Sequence, residues 1–540
     1  MASNFYVIVC SVAYAFLALM TMGQVSATGL QSHRTYLLLM TDPHGFYSAH
    51  RHDEKYNADY PAISSFADTL RHQASQLEGC DVFFLENGDM VDGGGLTDEP
   101  GAKKLTFPIL KDMGFDARTI GNHELYDGKT LEDLSGILPG PFITSNVVHA
   151  DSKKPFGSRY RILKRASGSG SILVFGFLYN MKGYDSRVGF VEEVEKAVQA
   201  NWFEDALQEK FDSIVVLAHM DYKDPLVFTL LSTIRKHLDK IPVVFVTGHT
   251  HMRRSARLDP FAFSLEAGKF ADTIGIVSFS SHLESGATQM EFEHLYVDAS
   301  VDALQQFAHA KIEDTTRSLD LRKRLREVRT KLDLDKIIAY NKQTMKITVG
   351  YNAPDSLVRF WVEEVVQTTV LDEAVQCTGF FIGGSGSIRY NLYQGQVVVD
   401  DIWSMAPFKD GFRVVRCLSG NVLLELLQKL PTRIMSEDQQ QKLLQSVHAR
   451  PFPSVLPPYV HSSVEHLSHR KAYDLVLGAY DASTVLRYIN EECSTNTEQR
   501  VDEPFREGDI NQHDVWLRYY ERKKQEIKEV VHEDAILAQS

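Results

Sequence analysis

The sequence predicts an α/β protein of more than one domain, on three observations. Between Tyr36 and about Ser280, short apolar or β-branched runs are each followed at once by polar residues and glycine, the pattern of buried strands that carry functional loops at their ends. The stretches between them, residues 62–78 and 191–207, have helical spacing. The length of 540 residues exceeds what one hydrophobic core organises, so about two to four structural units are expected.

The clearest strand candidates are residues 36–40, 82–85, 172–177, 214–217 and 243–246. Strands alternating with helices imply a sheet whose ligands gather at strand ends. Residues 299–340 then change character. Basic side chains crowd through Arg322-Lys323-Arg324-Leu325-Arg326, while Leu321, Leu325, Val328 and Leu332 recur at intervals of three or four, which reads as a solvated connecting helix. A second unit follows from Met345 to about Asn490, with a glycine-rich turn at 383–386 and a strand-like run at 396–399. The expected division is 1–27 export signal, 33–298 first domain, 299–344 linker, 345–495 second domain and 496–540 charged tail, either a docked helix or a loose end.

No Lys or Arg precedes Arg34, residues 5–22 are almost wholly apolar, and Val25-Ser26-Ala27 supplies a small-residue cleavage pattern. This predicts a secreted or lumenal protein. The competing reading is an uncleaved signal anchor, since about 18 apolar residues can just span a bilayer; membrane contact is expected only in that case. Of the five cysteines, Cys80, Cys377, Cys417 and Cys493 remain once Cys10 leaves with the signal. They permit one or two disulfides of undetermined pairing. The formal net charge of -14 argues against nucleic acid as a partner. An acidic chain can still take an anionic substrate where bound cations dominate the local field.

Five motifs follow the strands in order: Thr41-Asp42-Pro43-His44-Gly45, Asn87-Gly88-Asp89-Met90-Val91-Asp92, Gly121-Asn122-His123-Glu124, Ala218-His219-Met220-Asp221 and Gly248-His249-Thr250-His251. Each alone is an ordinary turn, cap or core histidine. Together they deliver Asp, His and Asn from successive strand ends, which is what a pair of divalent metals needs from an α/β scaffold.

The series resembles the calcineurin-like metallophosphoesterase superfamily, whose pattern D-x-H, G-D, G-N-H-[ED], H and G-H-x-H it matches without a gap. The resemblance implies a four-layer α/β β-sandwich for the first domain. It also implies that Asp42, His44, Asp89 and His251 hold one metal and Asp89, Asn122, His219 and His249 the other, with Asp89 as the bridge. Two cations roughly 3.5 to 4 Å apart acidify a water and clamp the attacking and leaving oxygens of a phosphate ester. His123 would face the phosphate as a stabiliser or acid. In related nucleotidases an Asp close behind this His orients it. Here Asp127 lies one residue further along than usual, and a solvated loop carboxylate is the alternative.

The second unit resembles the C-terminal α+β domain of 5'-nucleotidases, through Gly383-Gly384-Ser385-Gly386-Ser387-Ile388-Arg389, Gly395-Gln396-Val397 and Ala406-Pro407-Phe408-Lys409-Asp410-Gly411-Phe412. That resemblance implies substrate contact by Arg389 and base stacking between Phe412 and Tyr480. Gly384 stands where the family usually has Asn, and Asp481-Ala482-Ser483-Thr484 follows Tyr480 in place of Gly-Gly-Asp-Gly. Core packing is the alternative for both aromatics, and a surface Arg capping its own loop is the alternative for Arg389.

The expected activity is therefore two-metal hydrolysis of a small phosphate ester, a nucleotide by resemblance. Zinc or manganese are the expected ions, with iron and cobalt as alternatives. The competing functions are a phosphodiesterase or sugar-nucleotide hydrolase with the same metal site, and a secreted binding protein that has lost turnover.

Overall fold

The computed structural model describes residues 29–138, 140–168, 170–280, 288–371, 377–409, 411–430, 456–492, 503–504 and 510–537. The expected export signal and Cys493 lie outside the described residues.

The five expected strands form as Arg34–Met40, Asp81–Glu86, Ser171–Leu178, Ser213–His219 and Val243–Thr247. They fall in two sheets. One runs Phe292–Asp298, Thr273–Ser280, Arg34–Met40, Asp81–Glu86, Ala117–Arg118, and the other Arg253–Asp259, Ala262–Ala267, Val243–Thr247, Ser213–His219, Ser171–Leu178, Tyr160–Lys164. Successive side chains point to opposite faces of a strand, and the packing follows that period. Leu37, Leu39, Phe83 and Leu85 meet Val174, Val215, Val244 and Leu265 between the sheets. Leu38 and Met40 point outward to the helix Tyr60–Ala74, and Val216 and Phe245 point to the helices Asn201–Leu207 and Pro225–His237. The result is the expected four-layer helix–sheet–sheet–helix arrangement. Because both sheet faces are covered, these strands read as continuous apolar runs.

Two local expectations are corrected. Residues 191–207 form no single helix: a strand Gly189–Val191 gives way to two short helices, Val194–Ala197 and Asn201–Leu207. The linker is not a solvated helix either. In Thr316–Lys331 the side chains of Leu321, Leu325 and Val328 are buried in the first-domain core, while Arg322 pairs with Asp59 at 2.6 Å and Arg324 with Asp112 at 2.7 Å. The three-to-four spacing makes an apolar stripe that docks, and the charges neutralise its flanks.

The second domain is built on a sheet ordered Tyr459–His461, Thr378–Gly384, Ala472–Gly478, Phe412–Ser419, Glu503–Pro504. One face packs a core with Trp361, Phe412 and Trp516, the other with Leu423, Leu426 and Val485. Trp516, from the terminal helix Gln512–Leu537, stacks on Trp361 with ring centres 5.3 Å apart, so this part of the charged tail is docked. Cys377 and Cys417 form a disulfide, and Cys80 is a buried free thiol. Among the described residues no helix is long and apolar enough to cross a membrane.

Candidate functional site

The strands Arg34–Met40 and Asp81–Glu86 are parallel, as are Ser171–Leu178, Ser213–His219 and Val243–Thr247. Their carboxyl ends therefore deliver the motif loops to one edge of the sandwich. The loops turn sharply: Asp42, His44, Asp89, Asp92, His249 and His251 all have positive φ, between 46° and 75°. Such backbone costs non-glycine residues about 1–3 kcal/mol each and persists only where the surroundings over-determine it. Contacts between loops do so here. Asp42 accepts from the His249 amide at 2.9 Å, and Asp89 from the His123 amide at 2.9 Å. Gly121 must be glycine because a Cβ there would lie 2.2 Å from Asp89 Oδ1.

The side chains converge on Asp89. Its Oδ2 is 3.2 Å from His219 Nε2, 3.7 Å from His44 Nε2 and 3.8 Å from His123 Nε2. His44 Nδ1 is 2.8 Å from the Val91 carbonyl and His219 Nδ1 2.7 Å from that of Asn87. These second contacts turn each Nε2 inward, as in metal-bound imidazoles. His219 Nε2 also lies 3.1 Å from Asn122 Oδ1, and His44 Nε2 lies 3.0 Å from His251 Nε2. Burial opposes charge on Asp89, yet His219, His123 and His44 hold its carboxyl well below the usual range. Burial and the neighbouring Asp89 carboxylate push Asp42 up to about 7, against the pull of His219. Burial opposes charge on His219 too, but Asp89 and Asp42 draw it up to about 10. The cluster thus demands positive charge at its centre, and Asp42 Oδ2 is buried without a hydrogen-bond partner. The donors fit two cations: Asp42, His44, Asp89 and His251 for one, Asp89, His219 and His249 for the other, with Asn122 beside the second. Cys377, Cys417 and Asp474 also lie close together, but the two sulfurs are joined to each other.

His123 is buried at the rim of this cluster, its Nδ1 2.6 Å from Asp92 Oδ2. The expected orienter, Asp127, lies elsewhere: it is exposed and caps the helix Gly128–Leu134, accepting from the Lys129 amide at 3.0 Å. The extra residue in the loop carries it past the imidazole, and Tyr126 meets the His123 ring instead, at 5.2 Å.

From the second domain Arg389 reaches the same point. Its Nη2 is 3.4 Å from His44 Nε2 and 3.5 Å from His251 Nε2, and its Nη1 is buried without a hydrogen-bond partner. Phe408 lies 5.3 Å from the guanidinium carbon and 6.2 Å from the His123 ring. Phe412, expected to stack on a base, is buried in the second-domain core beside Phe381. Tyr480 is 63% exposed on the helix Ala479–Arg487.

Residues 35–253 match the calcineurin-like phosphoesterase family and residues 345–479 the NAD nucleotidase C-terminal domain. The chain joins a calcineurin-like phosphoesterase domain to a NAD nucleotidase-type C-terminal domain. Its fold is that of the 5'-nucleotidase of Candida albicans, with a TM-score of 0.80 at 22% identity over 91% of this chain and 99% of that one. An uncharacterised protein of Saccharomyces cerevisiae is 26% identical over 69% of this chain and 66% of its own length. A protein of Arthroderma benhamiae named as secreted is 23% identical over 72% and 66%. The matched region thus spans about two thirds of these curated relatives.

Within the phosphoesterase domain, three buried carboxylates to which the sequence reading gives no role brace the motif loops. Glu124 accepts from the amides of Asp89, Met90 and Gly121 at 3.0, 2.6 and 2.6 Å. Glu266 accepts from the Thr250 hydroxyl at 2.6 Å and the Met252 amide at 3.0 Å, bracing the His249–His251 turn. Asp98 accepts from the amides of Asp92 and Gly93 at 3.2 and 2.7 Å. The motif position of Glu124 was visible; Glu266 and Asp98 carry no local signal, since their partners meet them only through the fold.

Proposed function

We propose that the protein is a secreted or lumenal phosphate-ester hydrolase that uses two divalent metal ions to release phosphate from nucleotides, as a 5'-nucleotidase does. One observation carries the reading: Arg389 of the second domain is buried beside His44 and His251 of the candidate metal centre. A guanidinium buried with an unsatisfied Nη1 beside cation ligands calls for an anion, and a phosphoryl group accepts from it in a bidentate fork.

Asp42, His44, Asp89 and His251 would hold one ion, and Asp89, Asn122, His219 and His249 the other, with Asp89 shared. When bound, the ions supply Lewis-acid neutralisation of phosphoryl charge and acidify a water. The mixed His, Asp and Asn set suits zinc or manganese, with iron and cobalt as alternatives. The protein's own groups do the rest. Asp92 accepts from His123 Nδ1, which fixes the ring and leaves Nε2 to donate a proton to the leaving oxygen. Arg389 binds the phosphoryl oxygens and adds positive charge where negative charge develops. Phe408 walls the side next to His123 and Arg389, and we place the nucleoside against it rather than between Phe412 and Tyr480, because Phe412 is committed to the core. Asp127 has no role at His123.

A second reading is cleavage of a sugar-nucleotide or dinucleotide, supported by the match of the second domain to a NAD nucleotidase. The disulfide Cys377–Cys417 favours an oxidising compartment, as does the secreted relative; N-terminal sequencing of the exported chain checks the cleavage after Ala27. The deciding experiment is hydrolysis of AMP, UDP-glucose, cyclic AMP and aryl phosphates by metal-stripped protein reloaded with zinc or manganese, with the products separated so that phosphate, UMP with glucose 1-phosphate, and AMP are each counted. AMP is expected to be the best substrate. Preference for UDP-glucose selects the second reading. Stoichiometric metal with no turnover on any ester overturns both and leaves a binding protein.

A further inference from the structure

The short helix Gly95–Asp98 stands between the second domain and the turn that carries Asp92. At its start the Gly95 amide donates to Asp400 Oδ1 of the second domain at 2.7 Å. Asp400 Oδ2 in turn receives Arg329 of the linker at 2.6 Å. Just past its end, Glu99 accepts from the Trp403 indole of the second domain at 2.7 Å. The approach is close enough that a Cβ on Gly95 would lie 2.9 Å from Asp400 Oδ1 and 3.1 Å from Trp403 Cδ1. Between these anchors Asp98, fully buried, takes the amides of Asp92 and Gly93 and the Thr97 hydroxyl on its two oxygens. Asp92 is held at φ 64° while its carboxylate grips His123 Nδ1. A left-handed Asp reverts to extended or right-handed backbone unless something holds it, and the Asp98 carboxylate does.

We propose that this helix couples docking of the second domain to the orientation of His123, with Asp98 as the positioning residue that transmits it. The coupling rests on the proton-donor role given to His123 above. Asp400 and Trp403 fix the helix from one side; Asp98 fixes the Asp92 turn on the other; Asp92 fixes the imidazole. When the second domain brings Arg389 to the centre, the same docking sets the acid. Substrate binding and proton donation are thus made ready together, and the first domain alone holds His123 loosely.

The test uses the full-length, metal-loaded protein and the variants Asp98→Asn, Asp400→Asn and Gly95→Ala. The first readout is the far-downfield proton resonance of a short His–carboxylate hydrogen bond, assigned to His123 by its loss in Asp92→Asn. It needs no substrate. Asp98→Asn should abolish it. Asp400→Asn and Gly95→Ala, which touch neither His123 nor Asp92, should weaken or shift it. The second readout is kcat/KM on AMP relative to p-nitrophenyl phosphate, whose leaving group departs without a proton. That ratio should fall about ten-fold or more in each variant, at wild-type metal content, because an acid contributes about 10²–10⁴-fold when fully placed. A purely structural role would lower both substrates alike. An unchanged resonance and ratio in Asp400→Asn and Gly95→Ala overturns the coupling even if Asp98→Asn fails to fold. A resonance that moves in a protein hydrolysing neither ester upholds the coupling and overturns the phosphoesterase reading instead.

Discussion

Replacing Arg389 with Met removes the guanidinium while keeping much of its aliphatic length, and it should move two measurements in opposite directions. Hydrogen bonds to charged groups contribute about 1.5–3 kcal/mol each, so loss of a two-pronged contact to phosphate removes about 3–6 kcal/mol. With about 1.4 kcal/mol per factor of ten, kcat/KM on AMP should fall roughly 10²- to 10⁴-fold. Metal binding should respond the other way. The guanidinium lies 3.4 and 3.5 Å from the Nε2 atoms of His44 and His251. Two like unit charges about 5 Å apart repel by about 3 kcal/mol at an effective dielectric of 20, so Arg389 weakens any cation on those rings. Calorimetric titration of metal-stripped Arg389→Met should therefore show one ion bound about 100-fold more tightly or better, and the other changed less. General damage to the fold would weaken both metal and substrate. If metal affinity drops, or if kcat/KM changes by less than about ten-fold, Arg389 is not the phosphate ligand.

Three further outcomes are expected. Asp89→Asn should remove nearly all turnover and lower the occupancy of both ions while leaving the fold intact; near wild-type rates with two ions bound would refute the shared-ligand assignment. His123→Ala should lower kcat about 10²- to 10⁴-fold with normal metal content, and loss of an ion would make it a ligand instead. His513 stacks on Trp403 with ring centres 3.6 Å apart, and burial, with Lys409 nearby, lowers its pKa from 6.5 to about 3. Because the folded-state pKa is depressed, the unfolded chain binds the proton first. Stability should be fully present above pH 6.5 and fall by about 1.4 kcal/mol per unit as pH drops toward 3; His513→Gln should flatten that slope in unfolding scans at pH 7 and pH 5.

The candidate metal centre is the most legible part of this chain because its donors are local: each lies at the end of a strand or within four residues after it, and the ends of the parallel strands meet at one edge. Arg389 stands out only through the resemblance of its glycine-rich turn to that of 5'-nucleotidases; the fold brings it beside His44 and His251. The orienter of His123 is not legible. One extra loop residue carries Asp127 past the ring, while Asp92 reaches it only through a left-handed turn held by the distant Asp98. Of the two readings of Phe412, the structure takes core packing, and the sequence carries a signal for it. This residue opens the strand Phe412–Ser419, where Phe412 and Val414 are both buried on the core face, so period-two alternation already turns Phe412 inward and leaves Phe408, before the strand, to face the site. The linker shows the same lesson in reverse: its charges suggest solvent, but the Leu321, Leu325, Val328 spacing decides.

The two halves of the site differ in how they are held, and that difference predicts which property fails first. The candidate metal donors sit on strand ends and loops locked to one another inside the phosphoesterase domain, by Asp42 to His249, Asp89 to His123 and Glu124 to three amides. Arg389 arrives on a separate domain. Near the helix Gly95–Asp98, its placement depends on the ion pairs of Asp401 with Arg51 at 2.7 Å and of Asp400 with Arg329 at 2.6 Å, beside the buried Trp403 ring. Partly exposed ion pairs contribute about 0–1 kcal/mol each and are screened by salt, whereas fully buried carboxylate–amide contacts are not. Raising ionic strength should therefore loosen the second domain before it disturbs the metals. Titration with sodium chloride should raise KM for AMP at concentrations where metal stoichiometry is still two. Loss of the ions in step with substrate affinity would show instead that the two domains hold the centre jointly.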